Sequence, residues 1–223
     1  ASGGNILTWY SNSSLTGGTT TAPTPNTSGE GTTTYYVTQS NSYGCESAAS
    51  TIAVTVNPKI TGNTIGSDQT ICTNSTSNTL TSGSTVSGGN GTFSYGWPQS
   101  TDGGNTWTTI ASATLASYSP GILNATTLYR RFINSSSCSD TSNIVTITVQ
   151  GTLSNIDIAA PQTICSGSLP DLLKGQTPTG GSGTFTYSWE SSLNNSTWTI
   201  IPGTNAADYQ PGALTQTTYF KRK

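Results

Sequence analysis

Gly88-Gly89-Asn90-Gly91-Thr92-Phe93-Ser94-Tyr95-Gly96-Trp97 returns later in the chain as Gly180-Gly181-Ser182-Gly183-Thr184-Phe185-Thr186-Tyr187-Ser188-Trp189. In each copy a glycine-rich bend leads into a segment where Phe, Tyr and Trp alternate with small or hydroxylated residues. A period of two belongs to a strand with one buried face, so Phe93, Tyr95 and Trp97, and likewise Phe185, Tyr187 and Trp189, are expected to point into a core. The glycines precede a strand and not a helix whose N-terminus could hold a phosphate, so they read as bends and not as a nucleotide loop.

On either side of this pair the repetition continues. Gln69-Thr70-Ile71-Cys72 matches Gln162-Thr163-Ile164-Cys165 at an offset of 93, and Trp97 matches Trp189 at 92. Trp107 matches Trp198, Tyr118-Ser119-Pro120-Gly121 matches Tyr209-Gln210-Pro211-Gly212, and Thr126-Thr127-Leu128-Tyr129 matches Thr217-Thr218-Tyr219-Phe220, all at 91. Self-similarity at this spacing means tandem domains. The second one-residue change falls where Asp102-Gly103-Gly104-Asn105 is replaced by Asn194-Asn195, a hairpin loop able to absorb it. Asn143-Ile144-Val145-Thr146-Ile147-Thr148-Val149 alternates and closes one unit; Thr51-Ile52-Ala53-Val54-Thr55-Val56 closes the one before it. The expected organisation is all-β: a module over 1–57 lacking its first strand, a complete β-sandwich module over 58–150, and a module over 151–223 lacking its last strand. Linkers this short favour a semi-rigid rod.

Composition narrows the function classes. Of 223 residues only 7% are charged and the net charge is −2, which gives no electrostatic basis for binding nucleic acid. The few basic residues, Arg130, Arg131, Lys221, Arg222 and Lys223, are expected at strand ends. Five Trp and ten Tyr supply material for a core, so the chain reads as folded and not disordered. No apolar run is long enough to span a membrane, and an export signal is expected to lie outside these residues.

With no histidine anywhere, Ser-His-Asp and Cys-His catalysis are closed. Glycoside cleavage needs only two carboxylates, but Asp102 and Asp208 lie in turn-like stretches and Glu190 flanks a strand, with no cleft implied. No enzyme activity and no cofactor are expected. Asp102-Gly103-Gly104-Asn105 has half the look of a calcium loop, though the later copy drops it. Among the five tryptophans, Trp97 and Trp189 belong to the core pattern with Trp9 left unassigned, while Trp107 and Trp198, each flanked by Thr, are the candidates for stacking on a sugar.

Cys72 precedes the core strands and Cys138 precedes the last strand of its module, so a disulfide between them would tie the two ends together. Closing that loop would stabilise the module by roughly 4 kcal/mol. Cys165 sits at the Cys72 position and Cys45 at a Cys138-like position, and their partners are expected outside these residues. The alternative is four reduced, buried thiols. Without a Cys-x-x-Cys pair or a histidine, zinc is disfavoured and no metal site is expected.

These motifs together resemble the Ig-like repeats of giant Bacteroidetes cell-surface adhesins of the SprB gliding type. The first module resembles a related Ig-like type through Thr8-Trp9-Tyr10, Ala22-Pro23-Thr24-Pro25, Thr34-Tyr35-Tyr36-Val37 and Gly44-Cys45-Glu46. The resemblance implies Ig-like sandwiches displayed outside the cell, export by the type IX secretion system, and a stalk or adhesive role in surface attachment or gliding motility. The implied partners are neighbouring modules of the same chain, the secretion and gliding machinery, and surface polysaccharide. The alternative is a set of carbohydrate-binding accessory modules of an extracellular polysaccharide-degrading protein, which would need an exposed aromatic face. A filament subunit is a third reading, because an open sheet edge invites a donated strand.

Overall fold

The computed structural model describes residues 5–223, and every regular element among them is a strand. The first three, β1 (Ile6–Tyr10), β2 (Gly31–Ser40) and β3 (Ser50–Val56), form one antiparallel sheet in the order β1-β2-β3. Tyr10 and Thr38 both donate hydrogen bonds to the Glu46 carboxylate, which pins the turn after β2.

The next ten are β4 (Gln69–Cys72), β5 (Ser75–Thr76), β6 (Ser94–Gly96), β7 (Pro98–Ser100), β8 (Thr108–Thr109), β9 (Ile122–Leu123), β10 (Thr127–Tyr129), β11 (Phe132–Ser135), β12 (Cys138–Thr141) and β13 (Val145–Gln150). They build an immunoglobulin-like sandwich. One layer runs β4-β13-β10-β7-β8 and is prolonged at one end by β12-β11-β6. β10 with β11 and β12 with β13 make one long hairpin: Tyr129 faces Val145, Ser142 donates to the Arg131 carbonyl, and pairing resumes from Phe132 opposite Thr141 to Ser135 opposite Cys138. β4 lies parallel to β13, with Ile147 opposite Gln69 and Gln150 opposite Cys72. The facing layer is held by the pairs Thr61 with Ser87, Ile65 with Ser82, Leu80 with Tyr118, and β5 with β9.

Between the layers Ile65, Leu80, Trp97, Ala113, Tyr129, Val145 and Ile147 form one buried cluster. Each large aliphatic side chain buried here stabilises by about 1.5–3 kcal/mol. Trp97 is completely enclosed and its indole N–H donates to the Leu115 carbonyl at 2.9 Å, so the buried donor is satisfied. The alternation is obeyed with a gradient, since Phe93 and Tyr95 are only half-buried toward the end of the sandwich. Gly88 does more than bend the chain. Its φ is +95°, and a Cβ there would stand 2.1 Å from the Lys59 carbonyl oxygen; Gly180 repeats this with φ +88° and 2.0 Å to that of Thr152.

The last three strands are β14 (Trp189–Ser192), β15 (Thr199–Ile200) and β16 (Tyr219–Arg222), ordered β15-β14-β16. Opposite them the pairs Ser154 with Thr179, Ile158 with Gly175, Leu173 with Tyr209 and Ser168 with Leu214 repeat the facing layer of the preceding sandwich. Trp189 is fully buried, with its indole N–H on the Ala206 carbonyl at 3.1 Å. The ring series also recurs: Trp97, Tyr118 and Tyr129 follow at 5.6 and 5.8 Å, and Trp189, Tyr209 and Phe220 at 5.6 and 5.8 Å.

The structure corrects one expectation. Cys72 and Cys138 are not bonded; all four cysteines are free, with Cys45, Cys72 and Cys165 exposed. The register explains why. Cys72 lies beside Gln150 at one end of the long hairpin and Cys138 at its other tip, twelve residues away along one strand. At about 3.3 Å per residue the separation is on the order of 40 Å, far beyond the roughly 7 Å that a disulfide spans between Cα atoms. Arg131 sits at a strand end, between β10 and β11, and is wholly buried there.

Candidate functional site

The two tryptophans proposed as sugar platforms are half-buried, and each carries a cation on its ring. The Arg130 guanidinium lies 4.1 Å from the Trp107 ring centroid, and the Lys221 ammonium 4.2 Å from that of Trp198. The Trp107 N–H donates to the Gly104 carbonyl at 3.0 Å, which ties the ring to its own loop. A ring face already stacked under a cation is closed to a sugar.

The Asp102 loop likewise spends its oxygens internally. Its carboxylate accepts from the Thr106 backbone at 3.0 Å, the Thr106 hydroxyl at 2.6 Å and the Ser100 hydroxyl at 2.7 Å. These bonds, the Thr106 hydroxyl foremost, hold the carboxyl well below the usual carboxylate range. In the later copy Asn194 does the same work without charge, accepting from Ser192, Ser196 and Thr197. The shared feature is a side-chain-capped turn. Among the described residues no three of His, Cys, Asp and Glu gather in one place.

Glu190 is paired with two lysines, Lys221 at 2.8 Å and Lys223 at 2.6 Å, with only 6% of its side chain exposed. Hydrogen bonds from Lys221 and then Lys223 lower its pKa, so it is a fixed anion and not a proton donor. Asp208 accepts from the Gly175 backbone at 2.9 Å and stands apart from that pair in the chain's facing layer. The carboxylates named from sequence therefore each have a separate structural partner.

Arg131 was missed. Its guanidinium donates to Asn63 Oδ1 at 3.0 Å and to the Ala116 carbonyl at 2.6 Å, between the rings of Tyr95 and Trp97. Among the described residues no carboxylate pairs with it; carbonyl dipoles and ring faces stabilise it. Arg222 repeats the clamp, donating to the carbonyls of Ala207 at 3.0 Å and Gln176 at 2.8 Å with Tyr187 beneath. The signal lay in the period of two: Thr127, Tyr129 and Arg131 share one parity, and Tyr129 is core.

A groove of about 590 Å³ opens in the last repeat between residues 158–166 on one wall and 214–220 on the other. Ile158, Ile164, Leu173, Leu214 and Phe220 line it. Trp198 and Cys165 also line it.

The family model described as a domain of unknown function, DUF8696, matches residues 61–151 and again residues 154–223. No curated protein matches the sequence. Two solved structures are similar to it in shape at low identity. The three N-terminal domains of the bacteriophage RB49 Highly Immunogenic Outer Capsid protein (Hoc) are 15% identical, with a TM-score of 0.46 over 97% of this chain and 75% of that one. Drosophila OTK extracellular domains 3-5 are 12% identical, with a TM-score of 0.41 over 86% of this chain and 68% of that one. The two model matches fall on the two sandwich copies, and the chain belongs to the DUF8696 family.

Proposed function

We propose that the chain is a non-catalytic repeat segment of a large extracellular surface protein, a stalk that spaces an adhesive part from the cell. The observation that carries this reading is what the two copies hold in common. Trp97 and Trp189, Arg131 and Arg222, and Gln69 and Gln162 each make the same packing or clamp contact, and none of them faces a reacting group. Neutral Thr and Ser surfaces and cores pinned by buried hydrogen bonds suit a spacer exposed to the medium. The resemblance to gliding adhesins supports attachment or gliding as the process and type IX secretion as the route.

Pulling on the chain through its ends tests the mechanical role. Unfolding of the 58–150 sandwich is expected as a discrete step of roughly 30 nm, given an extended reach of 3.3–3.6 Å per residue. Extension without a resolved step defeats the stalk reading. In parallel, saturable quenching of tryptophan fluorescence by a polysaccharide, lost in Trp107→Ala and Trp198→Ala, would move the assignment to a carbohydrate-binding module.

A further inference from the structure

We infer that the parallel pair β4–β13, extended by the side chains of Asn143 and Asp68, is the clamp through which the 58–150 sandwich resists tension. This role rests on the stalk reading, because only a chain under tension would use it.

The two ends of the sandwich set the direction of load. The Gly89 N–H donates to the Pro58 carbonyl at 2.8 Å, and the next N–H, that of Asn90, donates to Ser135 Oγ at 3.0 Å. Pro58 therefore lies at the tip of the long hairpin, where Ser135 faces Cys138. Gln150 lies at the opposite end of that hairpin, beside Cys72. Tension entering at residue 58 pulls β4 toward the tip, and tension leaving at Gln150 pulls β13 the other way. Because the two strands run parallel, these pulls oppose each other along the strand axis. All bonds between them are loaded together, and none is peeled off ahead of the rest.

Side chains lengthen the clamp where the backbone cannot. The chain enters along the facing layer, where Thr61 bridges Ser87 and Ile65 bridges Ser82, and crosses over residues 66–68 to β4. A segment changing layers loses its ladder, and two polar side chains replace the missing partner. Asn143, two residues before β13, accepts the Ile65 N–H at 2.8 Å and donates to the Ile65 carbonyl at 2.9 Å. The Asp68 carboxylate accepts the Thr146 N–H at 2.7 Å. Backbone pairing then runs from Gln69 opposite Ile147 to Cys72 opposite Gln150, and the Thr73 N–H closes it on the Gln150 carbonyl at 2.8 Å. From Ile65 to Thr73 the entering chain is thus tied to residues 143–150. On its other edge β13 is held by β10 and by Thr126 Oγ1, which accepts the Val149 N–H at 3.0 Å. Asn143 and Asp68 are both exposed, so neither serves to fill the core.

The test is single-molecule force spectroscopy on the full chain in two geometries. Held by its two ends, the chain loads β4 against β13 in shear. Held by the Cys72 thiol and Lys223, with Cys45, Cys138 and Cys165 changed to Ser, it is pulled where β4 and β13 finish side by side, and the pair is peeled apart. The sandwich is expected to break at about half the force or less in the second geometry, because forced unfolding follows the unfolding rate and the bonds then yield singly. In the end-to-end geometry at constant force, Asn143→Ala should unfold about tenfold faster, having lost two loaded hydrogen bonds. Ser135→Ala removes two hydrogen bonds with Asn90 that lie off the load path, and should lower stability in denaturant while leaving the forced rate unchanged. A resolved step at equal force in both geometries, or equal acceleration by the two variants, overturns the clamp and leaves the stalk reading standing. Extension without any resolved step defeats the stalk reading and the clamp with it.

Discussion

Gln-Thr-Ile-Cys occurs twice in this chain with two conformations, as strand β4 at Gln69–Cys72 and as irregular backbone at residues 162–165. Local sequence is identical, and so is the glutamine clamp on the backbone nine residues on. What differs is the neighbour: β13 lies parallel to the first copy and no strand of the described residues lies beside the second. β-structure here is thus a property of the pair of strands and not of the segment, which is why strand propensity depends so heavily on context.

That contrast should appear first in the core. Leu80, 1% exposed, packs under β13, while its counterpart Leu173, 8% exposed, borders the groove. Leu80→Ala is expected to cost about 3–4 kcal/mol in denaturant unfolding and Leu173→Ala roughly half as much, since the second site already lacks part of its packing. Equal losses would mean that the groove is not open.

The arginine clamps sharpen the comparison. Arg131 is fully enclosed and Arg222 partly exposed. Arg131→Ala leaves the buried Asn63 side chain without its donor and should cost about 3 kcal/mol. Arg222→Ala, whose acceptors water can reach, should cost about 1 kcal/mol by the same measurement.

Acid should separate the copies by charge. Glu190 has Pro98 at its position in the sandwich, so the ion pair with Lys221 and Lys223 belongs to the last repeat alone. Its folded pKa is depressed, so its contribution is present above the ordinary value of 4.5 and is lost as pH falls below it. The Trp189 indole resonance is expected to respond to acid before that of Trp97, and Glu190→Gln should reduce this difference.

The smallest effect is expected from sulfur. Cys72→Ser with Cys138→Ser should leave the sandwich's melting temperature unchanged with or without reductant. A fall only under oxidising conditions would restore the disulfide that the register rules out.

What could be read from sequence was what depends on neighbours along the chain. The alternation through Phe93, Tyr95 and Trp97, the repeat offsets, and the absorbing loop at Asp102 are local, and they placed the strands and the central tryptophans. The cysteine pairing failed because it depends on β4 running parallel to β13, a long-range register that no spacing records. The burial of Arg131 went unread, although its alignment with Tyr129 marked it as inward-facing. The tryptophan faces could not be judged without knowing that Arg130 and Lys221 fold back over them.

Amide hydrogen exchange on the isolated chain, comparing residues 69–72 with residues 162–165, addresses the central claim most directly. Slow exchange is expected in the first segment, where β13 holds the ladder, and fast exchange in the second. Equal protection of the two segments would contradict the account, because it would mean that some strand already lies in the groove.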